Sequence, residues 1–202
     1  FTLFKNLHNR ITIIEYSNLK SNNFDYHISL FSLPNLLKIK KKKDINFYKL
    51  SINHNDKFEL TSKSKVNVGI CWSGNPNYSR DPYRSIEFNK VKNLILANKE
   101  IDFYKLSREI TNSKKISLKN LPNLYDFGGK SLLEISQILN QFDLVVSTDT
   151  SIIHLAGILN IKSFLLLNYN SDWRWFLDTK KTIWYPSVTI IKQKKINCWD
   201  NV

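Results

Sequence analysis

Residues 143–169 read DLVVSTDTSIIHLAGILNIKSFLLLNY, which is the pattern of a strand, a polar turn, a buried helix and a second strand. The first strand ends in the polar cluster at 148–151, which is typical of a helix cap and predicts a helix from Thr150 onward. The helix is apolar nearly all round, and a short connection leads from it to the second strand. This order predicts a βαβ unit within a parallel sheet.

The polar turn at 148–151 is the first candidate for a ligand site. It would lie at the carboxyl end of a parallel strand, where open α/β sheets place their ligands, and a helix N-terminus there favours a phosphate. His154 follows Thr150 by four residues and therefore shares a face of the first helical turn with it. Two other interpretations stay open: Asp149 or Ser151 only caps the helix, and His154 is a satisfied core residue.

Composition excludes several classes of protein. With 202 residues, of which 42% are hydrophobic, the chain can bury a sizeable core. The net charge of +13 could indicate nucleic-acid binding. However, the charge is mostly lysine, and its one dense run, at 38–43, is typical of a solvated surface. We therefore expect no nucleic-acid partner. Cys71 and Cys198 lie far apart in sequence, so neither a disulfide nor a metal site is expected.

The sequence also bears on location. No apolar run approaches the ~20 residues that a membrane-spanning helix needs, so the chain is not expected to be transmembrane. No signal peptide pattern is present, and the cytoplasm, with the inner face of the membrane as an alternative, is the expected location. The chain begins with Phe1 and contains no methionine, which predicts a fragment or a processed chain.

The organisation of the chain is expected to change near residue 62. Residues 1–62 contain two strand-like segments, at 11–14 and 26–30, and a short helix that ends in the lysine run, which is too little for a complete domain. The polar stretch at 61–65 suits a linker. Three late aromatic residues are expected to pack back on this first segment, with a partner surface as the alternative: Trp184, Tyr185 and Trp199.

Residues 63–202 are expected to form one α/β domain. Strands alternate there with helices of 10–14 residues, which predicts a Rossmann-like, doubly wound parallel sheet with helices on both faces. Besides the βαβ unit, the strands are expected at 66–72, 101–106 and 124–127, and the helices at 85–98 and 131–140.

Two more turns would stand on the same edge of that sheet. Ser73, Gly74 and Asn75 follow the first strand, and the glycine permits a backbone that a ligand can approach closely. Arg84, further along, could place two N–H groups on a phosphate or could simply be solvated. After the last strand of the βαβ unit, the aromatic residues at 173–175 could clamp a flat base or close the edge of the sheet.

Five separated motifs together resemble a known family. These motifs resemble the carboxyl-terminal half of glycosyltransferases related to the bacterial heptosyltransferases. They are WSGNP at 72–76, YRSIEF at 83–88, STDTSIIHLAG at 147–157, DWRW at 172–175 and WYPS at 184–187. More closely, they resemble the glycosyltransferase-like domain found behind tetratricopeptide repeats in many bacterial proteins. The stretch FDYHISLFSLPNLL at 24–37 resembles the end of that family's amino-terminal domain.

The resemblance implies a GT-B fold, of which residues 1–62 would be the remnant of the first domain and residues 63–202 the second, nucleotide-sugar-binding domain. It implies metal-independent transfer of a sugar from a nucleoside-diphosphate sugar to an acceptor hydroxyl on a glycan, lipid or protein, without a cofactor, and a fusion to upstream tetratricopeptide repeats. A non-catalytic nucleotide-sugar-binding module is one alternative, and a basic nucleic-acid-binding protein, which rests only on the charge, is the other. The implied donor-binding residues are Ser73, Gly74, Asn75, Arg84, Asp149, Thr150, Ser151 and His154, and those flanking the nucleotide are Asp172, Trp173 and Arg174.

The resemblance also implies a general base from the amino-terminal domain. No residue of this chain matches it by motif. Asp25 and His27 are candidates by residue type only, so the catalytic residue is left unassigned, and we expect that the chain could bind donor without turning it over.

Overall fold

The computed structural model describes residues 2–4, 10–18, 24–52, 60, 65–107, 121–176, 180–200 and 202. Its centre is one sheet of six parallel strands in the order β3-β2-β1-β4-β5-β6, the order of a Rossmann fold. The prediction of a parallel α/β sheet is confirmed. The strands are β1 (Val66–Cys71), β2 (Ile101–Lys105), β3 (Leu124–Asp126), β4 (Leu144–Thr148), β5 (Ser163–Leu167) and β6 (Val188–Lys192).

Helices cover both faces of the sheet, as a doubly wound fold requires. The described helices are α1 (Leu33–Leu36), α2 (Asp81–Arg84), α3 (Phe88–Ala97), α4 (Leu132–Ile138) and α5 (Ser151–Ile158). On one face, α3 packs Val91 and Ile95 against the β1 side chains of Val68 and Ile70. On the other face, α4 and α5 pack against Val145 of β4 and its neighbours.

The helix expected at 85–98 is shorter and begins later. The chain first makes one helical turn, α2, with a proline in its first turn. It is then extended at Ser85, and the Ile86 N–H donates to the Trp72 carbonyl at 2.8 Å. That bond ties the segment to the end of β1, so α3 starts only after Glu87.

The amino-terminal segment differs from its prediction. Neither 11–14 nor 26–30 forms a strand, and α1 is a single turn. Residues closer to the sheet do contribute to the core: Leu50 is buried, and its N–H donates to the Ile158 carbonyl at 2.9 Å. The expected linker at 61–65 falls, except for Lys65, outside the described residues. Within the described part of the chain, no helix is long and apolar enough to cross a membrane.

In the part of the chain that the structure describes, the late aromatic residues contact elements of the sheet domain. Trp184 donates its indole N–H to the Arg174 carbonyl at 2.8 Å, and Tyr185 meets His154 on α5. Trp199, which is 9% exposed, lines a cavity together with residues of β1 and α3.

Candidate functional site

The site lies where β1 and β4 run side by side at the centre of the sheet. The chain leaves β1 toward α3 on one face and leaves β4 toward α5 on the other, so their carboxyl ends flank the topological switch point of the sheet. Open α/β sheets bind ligands in that crevice. A cavity of about 270 Å³, the switch-point cavity, opens here. It is lined by Cys71, Ser73, Gly74, Asn75, Arg84, Leu106, Thr150, Ser151 and Ile152.

A second cavity adjoins it. This Asp149 cavity has a volume of about 200 Å³, and Arg84 lines both cavities. Of the eleven residues implied by the resemblance, the two cavities together bring nine into their walls. His154 lies beside Asp149 without lining either cavity, and Trp173 is 68% exposed and lines neither. The Asp149 cavity is lined by Tyr78, Arg80, Arg84, Asp149, Asn168, Asn170, Asp172 and Arg174.

Arg84 is held in place from three sides. Its Nε donates to Asp81 Oδ1 at 2.9 Å, its Nη1 donates to the Asp149 carbonyl at 2.5 Å, and its guanidinium lies 4.8 Å from the centre of the Tyr78 ring. Its side chain is 19% exposed. A guanidinium held in this way is a preorganised cation between the two cavities.

Gly74 makes this position of Arg84 possible. A Cβ at residue 74 would lie 2.2 Å from Arg84 Nη2 and 2.4 Å from Asp81 Oδ1. The Gly74 N–H donates to Ser85 Oγ at 3.2 Å, and Ser85 Oγ donates to Asp81 Oδ2 at 2.8 Å. The backbone after β1, the carboxylate of α2 and the arginine therefore form one packed network.

The N-terminal turn of α5 opens into the switch-point cavity through Thr150, Ser151 and Ile152. Thr150 is the cap, because its Oγ1 accepts from the Ile152 N–H at 3.3 Å; the interpretation that Asp149 or Ser151 caps the helix is wrong. The Thr150 hydroxyl also meets Ser147 Oγ at 3.1 Å. It is therefore engaged inside the protein, whereas the Ser151 side chain is exposed.

The Asp149 carboxylate stands between two groups that can carry positive charge. Its Oδ1 lies 3.8 Å from His154 Nε2, and its Oδ2 lies 4.0 Å from Arg174 Nη2. Arg174 is shared with Asp172, whose Oδ1 lies 3.3 Å from Arg174 Nε. The Asp172 carboxylate in addition accepts from the Arg174 N–H at 3.0 Å and so caps the short helical turn that it begins.

His154 is packed rather than free. Its ring stacks on the buried Trp175 with centroids 5.1 Å apart, and its Nδ1 lies 3.0 Å from the Tyr185 hydroxyl. Burial lowers the pKa of His154 below its ordinary value of 6.5, partly offset by the Asp149 carboxylate. Burial likewise raises the pKa of Tyr185 above 10.0. At neutral pH, the imidazole is uncharged and the phenol is protonated.

Three residues that hold Arg84 or His154 in place were not among the site residues expected from the sequence. Asp81 and Arg84 have the i, i+3 spacing of a helical ion pair, which could have identified Asp81. Tyr185 lies in the WYPS motif, but nothing in its local sequence points to a histidine 31 residues away. Tyr78 belongs to a turn whose sequence has no regular period.

The fold and the cavities define this part of the chain as a doubly wound α/β fold with two polar cavities at its switch point. Among the described residues, no group of three or more histidine, cysteine, aspartate or glutamate side chains could hold a metal ion. Three arginine side chains line the cavities: Arg80, Arg84 and Arg174.

Comparison with known proteins gives likenesses of fold. No family model and no curated protein sequence matches the chain. Among solved structures, it is similar to Escherichia coli ADP-heptose lipopolysaccharide heptosyltransferase II, with a TM-score of 0.49 and 15% identity over 64% of this chain and 39% of that one. It is also similar to E. coli heptosyltransferase WaaC with ADP, with a TM-score of 0.48 and 14% identity over 66% and 39% of the two chains.

A third similar structure is a family 9 glycosyltransferase from Veillonella parvula, with a TM-score of 0.47 and 7% identity over 66% of this chain and 37% of that one. The chain thus spans about two-fifths of the length of each of these three proteins.

Proposed function

We propose that the chain is the donor-binding half of a GT-B glycosyltransferase and that a nucleoside-diphosphate sugar binds across the switch point. The observation that carries this proposal is the position of Arg84, which lines two adjoining cavities at the point where the N-terminal turn of α5 opens between β1 and β4. The motifs that resemble glycosyltransferases contribute these same residues.

In this proposal, the diphosphate lies between the N-terminus of α5 and Arg84. The first backbone N–H groups of a helix have no partner within the helix and carry a partial positive charge, which favours a phosphate. Arg84 adds a guanidinium whose position is already fixed by its ion pair with Asp81 and by the Tyr78 ring. A preorganised donor set of this kind needs no reorganisation when the ligand binds.

The Asp149 carboxylate has a different part in the same site. A carboxylate and a diphosphate repel each other, so Asp149 is not a phosphate ligand in this proposal. Its side chain, 12% exposed on the cavity wall, instead suits a hydroxyl of the nucleotide sugar, which donates to a carboxylate oxygen. Arg174, Asp172 and the exposed Trp173 then flank the nucleotide on the outer side.

The proposed reaction is attack of an acceptor hydroxyl on the anomeric carbon, with loss of the nucleoside diphosphate. Negative charge grows on the leaving diphosphate as the bond to the sugar breaks. Arg84 and the α5 N–H groups therefore stabilise the transition state more than the bound substrate. The acceptor proton goes to a general base, for which Asp25 and His27 remain candidates by residue type. Location in the cytoplasm and fusion to tetratricopeptide repeats remain parts of the same proposal.

The test is to measure the binding of ADP, GDP, UDP and CDP to the chain by thermal unfolding and by calorimetry. A ligand present at 100 times its dissociation constant adds about 2.7 kcal/mol to the free energy of unfolding, which is a shift of several degrees for a chain of this size. Gly74→Ala is the informative variant, because the added Cβ must displace Arg84 or Asp81. Gly129→Ala is its matched control, because a Cβ there meets no atom within 4 Å.

We expect one nucleotide to stabilise the wild type and the Gly129→Ala variant, and to stabilise Gly74→Ala much less. A cooperatively unfolding wild type that no nucleotide stabilises would overturn the proposal. If Gly74→Ala and Gly129→Ala bind the nucleotide equally well, Arg84 does not take part in binding as proposed. Transfer is a separate question: nucleotide binding without sugar transfer by a chain extended at its amino-terminal end would identify a non-catalytic binding module.

A further inference from the structure

Tyr185 and Trp175 fix the orientation of the His154 ring. The Tyr185 hydroxyl lies 3.0 Å from His154 Nδ1, and the two rings meet edge to face with centroids 5.8 Å apart. The imidazole also stacks on Trp175 at an interplanar angle of 20°, and that indole is fully buried. A ring with one nitrogen bonded and its plane packed against an indole cannot rotate without breaking both contacts.

The helix leaves room for this contact. Gly157 follows His154 by three residues and therefore lies on the same side of α5. A Cβ at residue 157 would come within 2.4 Å of Tyr185 Cγ, at the rigid base of the phenol ring. Only a residue without a side chain lets Tyr185 approach the helix closely enough for its hydroxyl to reach Nδ1.

The surroundings of the imidazole select one tautomer. Nε2 lies 3.8 Å from Asp149 Oδ1, and because a carboxylate only accepts hydrogen bonds, it favours a proton on Nε2. Nδ1 then carries the lone pair, and the Tyr185 hydroxyl donates to it. The phenol can do so throughout the neutral range, because burial raises its pKa.

Among the described residues, four titratable or charged groups face His154. Asp149 comes from the turn before α5, Asp172 and Arg174 from the segment after β5, and Tyr185 from the segment before β6. The two carboxylates raise the pKa of His154, whereas Arg174 and, above all, burial lower it. The net direction is down, so the imidazole is neutral at pH 7 and its tautomer decides what it can do.

We propose that Tyr185 is a positioning residue, which holds His154 as its Nε2–H tautomer so that the ring presents a single neutral N–H donor beside the Asp149 carboxylate. His154 does not itself line either cavity, but its side chain is 33% exposed and its Nε2 stands beside Asp149, which lines one. An N–H donor in this place suits an oxygen acceptor of a ligand at that cavity, such as a phosphoryl or hydroxyl oxygen. In this state, Nε2 cannot accept a proton, so His154 is neither a general base through this nitrogen nor a fixed cation. The identity of the ligand rests on the proposed function, but the tautomer does not.

The first test needs no ligand. Nitrogen-15 NMR of the full chain with labelled histidine distinguishes the two tautomers, and His154→Gln identifies the His154 signals by their loss. We expect the Nε2–H pattern in the wild type above the pKa of the ring. Tyr185→Phe, which keeps the ring and removes the hydroxyl, should shift His154 toward a mixture of tautomers. Tyr83→Phe, at a tyrosine that is 50% exposed on α2, should leave the pattern unchanged.

An Nδ1–H pattern in the wild type would overturn the proposal, and so would an unchanged His154 pattern in Tyr185→Phe. The second test measures affinity for whichever of ADP, GDP, UDP or CDP stabilises the protein. A neutral donor predicts an affinity that is flat from about pH 7 to about pH 9, and a severalfold weaker affinity in Tyr185→Phe than in Tyr83→Phe. An affinity that falls as pH rises through the range of histidine titration would mean that the imidazolium binds, and would overturn the proposal. If no nucleotide binds, the proposed function fails and the NMR result alone decides on Tyr185.

Discussion

The Arg84 guanidinium donates to the main-chain carbonyl of Asp149, 65 residues away, at 2.5 Å. This bond joins the segment that follows β1 to the turn that follows β4, which are the two sides of the switch point. The same guanidinium uses its Nε on Asp81. Arg84 therefore links the two sides of the candidate site, and a ligand would bind to a guanidinium that is already in its final position.

Asp81→Ala tests whether the ion pair with Asp81 holds Arg84 in this position. The carboxylate of Asp81 is nearly buried and bonds both Arg84 and Ser85. Its removal leaves these donors without their acceptor, which costs roughly 1–3 kcal/mol when the groups are buried. We expect a free energy of unfolding lower by that amount in urea denaturation, together with weaker nucleotide binding.

The control is Asp200→Ala. Asp200 also pairs with a cation, Lys90, but its side chain is 70% exposed, and exposed ion pairs contribute little. Urea denaturation should show no measurable change for this variant. Equal losses in the two variants would mean that the Asp81 network adds nothing beyond an ordinary surface pair.

Gly157→Ala should destabilise the protein although alanine is the better helix former. The gain in helix propensity is about 1 kcal/mol, whereas overpacking against the Tyr185 ring costs roughly 1–3 kcal/mol. We therefore expect a lower midpoint of thermal unfolding and, in nitrogen-15 spectra, the same His154 change as in Tyr185→Phe. A higher midpoint with an unchanged His154 signal would contradict the close contact between Tyr185 and α5.

The side-chain caps of α4 and α5 should differ in strength. Ser131 caps α4 in a capping box with Glu134 and is exposed, and its replacement by alanine should cost about 1 kcal/mol. Thr150 caps α5 and is also bonded to Ser147 inside the protein. We expect Thr150→Ala to lower the free energy of unfolding more than Ser131→Ala, and Thr150→Ser to recover most of the loss. The reverse order would show that the buried hydroxyl is not used.

His154 should make the stability of the protein depend on pH. Burial lowers its pKa below 6.5 in the folded state, so the unfolded state binds the proton more readily. The stability that this gives is fully present above about pH 6.5 and is lost as pH falls from there through the lower folded pKa. Urea denaturation across this range should show a falling free energy of unfolding.

His154→Gln is the matched variant for that experiment, because glutamine does not titrate. Its free energy of unfolding should fall less steeply over the same pH range than that of the wild type. Identical slopes in the two proteins would assign the pH dependence to other groups.

The order of strands and helices was predictable from the sequence because short runs of consecutive residues determine the strands and the helix caps. The β-branched run of β4 and the Ser131–Glu134 pair each occupy a few consecutive residues. The predicted bounds of a helix were wrong where a hydrogen bond to a residue distant in sequence changes the backbone. The hydrogen bond from Ile86 to Trp72 keeps the segment after Arg84 extended, and no pattern within 85–98 records it.

The site was predictable to the extent that it consists of strand ends. Gly74, Arg84 and Asp149 follow parallel strands, and parallel strands end at a common edge. The direction in which each side chain points was not predictable. The Thr150 hydroxyl lies 3.1 Å from Ser147 Oγ and 3.4 Å from Cys71 Sγ on the neighbouring strand. Tyr185 reaches His154 only because Gly157 has no side chain.

The order of the strands also bears on how the chain acquires its site during synthesis. β1 lies at the centre of the sheet, yet its neighbour β4 is synthesised much later. The Asn67 N–H donates to the carboxylate of Asp143, which lies 76 residues further along the chain. Contacts of such long range form slowly. A nascent chain that ends before β4 carries Arg84 but no opposing turn. The candidate site therefore comes into existence only at the stage when the central strands pair, and its appearance would report that the middle of the sheet has closed.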